Sequence, residues 1–155
     1  MRKERLDRLT VKIKRLEDSD DMQLPSYSSE GSSGMDIRAS VKEPVVLKPG
    51  EIRLIPTGLT VSIPSGYEGQ IRPRSGLALK YGIGIVNSPG TIDSDYRGEI
   101  HIIIINWGEQ PFTIRRGDRI AQMVVAKVFR ADIIEVDELD YTQRGVGGFG
   151  HSGIE

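Results

Sequence analysis

Apolar residues along this chain come in short stretches that recur every eight to twelve positions, and many alternate with polar ones at the period of a strand. Leu9, Val11 and Ile13 lie on one side of such a pattern, with Thr10, Lys12 and Lys14 on the other, which predicts a half-buried strand over 9–14. A polar loop with Pro25 and the serines Ser28, Ser29, Ser32 and Ser33 then leads into Gly34-Met35-Asp36-Ile37-Arg38-Ala39. Further strands are predicted over 45–47, 52–55, 59–63, 69–72, 83–86, 100–106, 112–114, 120–128 and 133–136, with Pro-Gly, Ser-Gly and Trp-Gly turns between them. The only helix the pattern supports is a short one after Ser75, running to Lys80. Together these elements predict an all-β fold, a distorted jelly-roll sandwich or barrel with one short helix. The run Ile102-Ile103-Ile104-Ile105 predicts a strand buried on both faces, one of them against another subunit.

Composition narrows the picture. With 155 residues the chain is large enough for one domain with a proper core. Glycine fills 18 of those positions, well above the typical ~7% and in keeping with a turn-rich β chain. A net charge of -1 gives no reason to expect direct nucleic-acid binding. The absence of cysteine excludes disulfides, thiolate nucleophiles and cysteine-ligated zinc. His101 and His151 form no HExxH-type helix pair, so a metal here would be oxygen-ligated, magnesium before zinc. No apolar run approaches the ~20 residues of a membrane span, and no signal segment is visible, so a soluble, intracellular, cytoplasmic protein is expected. Residues 1–8 read as a charged extension, 9–139 as the folded β domain, and 140–155 as a glycine-rich C-terminal arm.

Four segments carry candidate chemistry. Pro73-Arg74-Ser75-Gly76-Leu77-Ala78 places a serine and a glycine at a helix start beside an arginine; it is either an anion site or a helix cap with an exposed cation. In Gly90-Thr91-Ile92-Asp93-Ser94-Asp95-Tyr96-Arg97-Gly98-Glu99, read as a tight hairpin, Asp93 and Asp95 share a face by spacing and Tyr96 takes the other. Such carboxylates either activate water or hold a metal through water, or they bond their own backbone. Gly117-Asp118-Arg119-Ile120-Ala121-Gln122 reads as a turn entering a buried strand. The tail Arg144-Gly145-Val146-Gly147-Gly148-Phe149-Gly150-His151-Ser152-Gly153 is either a frayed end or a lid carrying one cation, one ring and one hydroxyl. Its Gly145-x-Gly147-x-x-Gly150 spacing matches the dinucleotide fingerprint only formally, since no helix can follow.

Taken with Gly34-Met35-Asp36-Ile37, these segments resemble, in order and spacing, the five motifs of the trimeric dUTPases, from about Leu9 to the C-terminus. The resemblance implies a homotrimer that uses Mg2+ to hydrolyse dUTP to dUMP and pyrophosphate, limiting uracil in DNA and supplying dUMP for thymidylate synthesis. It implies that Asp93 orients and deprotonates the water attacking the α-phosphorus, a task suited to a carboxylate. Tyr96 would pack on the deoxyribose and Asn87 would pair with the uracil edge. Arg74, Ser75 and Gly76 would hold the phosphate chain, with Arg119 and Gln122 supporting the phosphates and the water. Asp36 would act through water on the magnesium, or else serve as a turn-stabilising aspartate. From the arm, Phe149 would stack on uracil, Arg144 would reach the phosphates, and Gly150 and Ser152 would meet the γ-phosphate. Each site would be shared by three chains. His151 stands where many relatives have serine, and Ser152 keeps a hydroxyl there.

Two other readings stand beside this one. dCTP deaminases share the Pro-Arg-Ser segment and use a glutamate after the hairpin, for which Glu99 is the candidate. A nucleotide-sensing homologue acting through protein contacts would keep the arm as a switch but would not turn substrate over.

Overall fold

A computed structural model describes residues 8–149. The charged extension up to Asp7 and the expected phosphate contacts Gly150 and Ser152 lie outside the described residues. Within them the strands are β1 Lys12–Arg15, β2 Met35–Arg38, β3 Val45–Leu47, β4 Ile52–Ser62, β5 Tyr67–Arg72, β6 Ile83–Ile85, β7 Gly90–Ile92, β8 Glu99–Asn106, β9 Phe112–Ile114 and β10 Arg119–Lys127, with helix α1 at Ser75–Tyr81. Antiparallel pairing gives one sheet in the order β1-β4-β8-β6, a second in the order β2-β10-β5-β7, and a small β3-β9 ribbon. The architecture is the expected jelly roll.

The core forms where the alternating apolar positions of the sheets meet. Ile37, Ile55, Ile71, Ile102, Ile104 and Met123 are all but sealed from solvent, and each such side chain contributes about 1.5–3 kcal/mol relative to leaving it exposed. Asn106 is the polar exception. It is fully buried, and its amide donates to the Leu47 carbonyl (3.0 Å) and the Gln110 carbonyl (2.8 Å) while accepting from the Gly108 N–H (2.9 Å). It thereby ties the end of β8 to the ribbon without an unpaired group.

Two expectations need correcting, and the isoleucine run divides between the two faces of its strand. The predicted strands 52–55 and 59–63 are one strand, β4, whose ladder with β8 is interrupted between Pro56 and Thr60. The irregularity is a bulge at Gly58 (φ 66°), where a Cβ would fall 2.1 Å from Ser19 Oγ, so the apparent break is a local bend. Within this chain β8 buries one face through Ile102 and Ile104, whereas Ile103 and Ile105, on the face expected against another subunit, are half-buried opposite the exposed Leu54 and Ile52. Finally, residues 133–136 form no strand. β10 ends at Lys127, and Ile133, Ile134 and Val136 are exposed, with no strand paired to them among the described residues.

Arg116 secures the entry of the chain. Its guanidinium donates to the Asp21 carboxylate (2.8 Å) and to the Asp18 and Val41 carbonyls, and the Asp21 hydrogen bond holds that carboxyl below its ordinary range.

Candidate active site

The first functional cleft grows out of the end of β5. Pro73 lacks the N–H that would continue the ladder, so the strand stops, Arg74 stays extended (φ -92°, ψ 126°) and α1 begins at Ser75. Ser75 is therefore the first helical residue and not the cap; among the described residues its hydroxyl has no partner. Arg74 is half-buried rather than free, with Nε 3.2 Å from Asp36 Oδ1 and Nη1 donating to the Arg119 carbonyl (3.0 Å). Arg119 Nη1 donates to the other oxygen of Asp36 at 3.1 Å. Asp36 lies on β2, which excludes the turn-stabilising role; one carboxylate holds two guanidiniums side by side.

Gln122 completes this cleft from β10. In the ladder it pairs with Asp36 on one side and Arg72 on the other, and its Nε2 donates to the Pro73 carbonyl at 2.9 Å. Its side chain lies against Gly34, where a Cβ would come within 2.3 Å of Oε1. The resulting cavity of about 200 Å³ is lined by Ser28, Asp36, Arg74, Ser75, Gly76, Arg119 and Gln122. With two cations, one carboxylate and two hydroxyls on its walls, it suits a polyanion.

A second cavity, of about 250 Å³, lies at the hairpin, and its walls include Asn87, Thr91, Asp93, Tyr96, Glu99 and His101 over a floor of isoleucines. Residues 93–97 form a turn and not paired strand, so Asp93, Asp95 and Tyr96 are not sorted onto faces by strand alternation. The turn is closed by the Tyr96 N–H donating to the Asp93 carbonyl (3.1 Å), and Tyr96 is anchored by its hydroxyl donating to the Glu99 carbonyl (2.9 Å). Backbone atoms thus do the structural work, and among the described residues no donor engages the Asp93 carboxylate. Glu99 is committed to the fold: Oε1 accepts the Gly58 N–H (2.8 Å), and Oε2 lies 3.5 Å from His101 Nε2.

The two clefts have no residue in common. One gathers the expected phosphate-binding residues, the other the expected base, sugar and water-activating residues, and a single chain does not merge them. Nor does it bring Arg144 or Phe149 to either: Phe149 is fully exposed and Arg144 Nε donates to the Gly147 carbonyl (2.7 Å). Ser28 is a lining residue that the motifs did not reveal; the signal was the serine-rich stretch directly ahead of Gly34. Among the described residues no group of three or more histidine or acidic side chains forms a metal cage, and no helix is long and apolar enough to cross a membrane.

The chain resembles known proteins over most of its length. The dUTPase family profile matches residues 20–153. The deoxyuridine 5'-triphosphate nucleotidohydrolase of Caldanaerobacter subterraneus is 60% identical over 146 residues, covering 94% of this chain and 99% of the relative. That of Caulobacter vibrioides is 53% identical over 148 residues, covering 94% and 96%. Among solved structures, the Staphylococcus bacteriophage 80alpha dUTPase with dUPNHPP aligns with a TM-score of 0.84 at 31% identity, covering 94% of this chain and 99% of that one. A mutant dUTPase from phage phi11 of S. aureus, solved with attention to the coordination of a structural Mg(II) ion, aligns with a TM-score of 0.76 at 27% identity over 85% of this chain and 99% of that one.

Proposed function

The chain belongs to the dUTPase family, and we infer that it hydrolyses dUTP to dUMP and pyrophosphate by attack of water on the α-phosphorus. The observation that carries this reading is the pair of clefts: one is cationic and hydroxyl-bearing, and the other presents an amide, an aromatic ring and an unengaged carboxylate. Asp93 serves as the base, because its carboxylate is exposed and takes no described donor. Asn87 reads the uracil edge and Tyr96, fixed through its hydroxyl, lies against the deoxyribose. Arg74, Ser75, Gly76 and Arg119 bind the phosphates, and Gln122 places the water. This chemistry needs positioning and charge neutralisation more than a covalent intermediate.

Magnesium fits this donor set as an ion carried by the triphosphate, since Mg2+ is commonly held by phosphates, waters and one or two carboxylates. Asp36 would contact it through water, using lone pairs left over by its two arginines. The metal would offset charge building on the phosphates.

We further propose a homotrimer with shared sites. Leu54 and Ile103 belong both to the hairpin cleft and to the exposed apolar strip they form with Ile52 and Ile105. A second copy seated on that strip would border the cleft and add the phosphate residues that one chain keeps apart. Residues 9–139 make the body, 140–155 the lid that supplies Arg144, Phe149, Gly150 and Ser152, and 1–8 an extension. We place this role in the cytoplasm, on free nucleotide, without membrane or direct nucleic-acid partners.

The assay is direct. With magnesium, the protein should release dUMP and pyrophosphate from dUTP and leave dCTP, dTTP and UTP largely intact. Ammonia from dCTP would instead indicate deamination, against which the engagement of Glu99 with Gly58 already speaks. No turnover of any nucleotide would favour a sensor. A second expectation concerns Gly34. Gly34→Ala would place a methyl 2.3 Å from Gln122 Oε1 and 3.2 Å from its Cβ, dislodging the amide from Pro73. We expect kcat to fall about tenfold or more, as for loss of one positioned hydrogen-bonding group, with little change in thermal unfolding. An unchanged kcat would show that the placement of Gln122 is not needed for turnover.

A further inference from the structure

Ser28 is the one residue lining the phosphate cleft that belongs to none of the five motifs. Its loop is fastened to β2 by the isolated bridge between Tyr27 and Met35, in which the Asp36 N–H donates to the Ser26 carbonyl (3.1 Å). Asp36 is the carboxylate that holds both arginines of the cleft, so Ser28 is positioned by the same strand that positions them. Behind Ser28 stands a hydroxyl cluster: Ser32 Oγ is 3.0 Å from Ser28 Oγ and 2.8 Å from Ser29 Oγ, and it accepts the Ser29 N–H at 3.1 Å.

Proton counting restricts this cluster to two states. A hydroxyl has one proton and two lone pairs. One lone pair of Ser32 is filled by the Ser29 N–H, so of its two hydroxyl neighbours one must donate to it and the other must accept its proton. In one state Ser28 donates to Ser32 and turns only lone pairs toward the cleft. In the other, Ser29 donates to Ser32, Ser32 donates to Ser28, and the Ser28 proton is free to point into the cleft. An anion beside Arg74 and Arg119 favours the second state.

We propose that Ser28 is a substrate-binding residue that donates a hydrogen bond to the phosphate chain, with Ser32 and Ser29 as positioning residues that direct its proton. The proposal rests on reading this cleft as the phosphate site. Ser28 is exposed, so replacing it does not threaten the core. Ser28→Ala should raise KM for dUTP ~5- to 10-fold, the scale of one lost hydrogen bond at an exposed site, with kcat within about twofold. Inhibition by inorganic pyrophosphate should weaken by the same factor while inhibition by deoxyuridine stays unchanged. Ser28→Thr should restore the parent values. Ser32→Ala should raise KM by itself yet add nothing in the Ser28→Ala background.

Ser75→Ala serves as the companion test of the cleft. A parent-like KM for Ser28→Ala beside an impaired Ser75→Ala would overturn the role of Ser28 and leave the cleft assignment standing. If neither variant were impaired, both the assignment and the proposal would fall. Equal weakening of pyrophosphate and deoxyuridine would also overturn it, since that is the result of a generally disturbed loop.

Discussion

Asp93→Asn is expected to bind dUTP about as well as the parent chain and to lose its turnover by about 100- to 10,000-fold, the usual contribution of a positioned general base. The substitution keeps shape and hydrogen-bonding capacity but removes the proton acceptor. It should not disturb the fold, because the turn is closed by the Asp93 carbonyl and not by its carboxylate. Binding is measured with a non-hydrolysable dUTP analogue and turnover by pyrophosphate release. A variant that hydrolysed dUTP at the parent rate would remove Asp93 from the mechanism, and one that failed to bind would make it a recognition residue.

The second large effect concerns the arm. Deletion of residues 144–155 should leave assembly and thermal unfolding nearly unchanged, since β10 ends at Lys127 and Leu139, Tyr141 and Val146 are exposed. Hydrolysis should suffer greatly. Loss of one charged hydrogen bond from Arg144 and one stacked ring from Phe149 is worth together about 2–4.5 kcal/mol, or roughly 30- to 2,000-fold in kcat/KM, before any effect of water exclusion. Under the proposed homotrimer, light scattering should report three chains for the deletion as for the parent. Mixing this deletion with Asp93→Asn chains offers a sharper reading of the shared site. Mixed trimers would contain some sites that draw an intact hairpin from one chain and an intact arm from another, so two nearly inactive proteins should regain activity together. Failure to do so, with exchange of chains demonstrated, would place each complete site within one chain.

How far the sequence could be read follows from the range over which each feature is determined. The turn after Pro73, the helix from Ser75 and the hairpin near Asp93 are local, and their residue types announce them. Asp36 was legible as a motif residue but not as the partner of Arg74 and Arg119, which reach it from 38 and 83 positions away. The run of isoleucines marked both faces of β8 as apolar, but an apolar run does not show which face the same chain covers; here that is the face of Ile102 and Ile104. Residues 133–136 misled for the related reason that strand propensity is realised only beside a partner strand. Ser28 was hidden in a stretch whose composition says loop, and only the fastening of that loop to β2 shows where its hydroxyl lies.

The carboxylate between Arg74 and Arg119 also bears on which anions the cleft will admit. Two unpaired guanidiniums would attract any phosphate in the surroundings and would have to be immobilised each time one arrived. Asp36 holds both in place in advance, which reduces the ordering cost of binding. It also cancels one of their two charges. A single inorganic phosphate would then gain less than a triphosphate, which would reach further groups around the cleft. On the proposed reading of this cleft, Asp36 would act as a built-in competitor, setting a threshold of charge and length that a single phosphate does not pass.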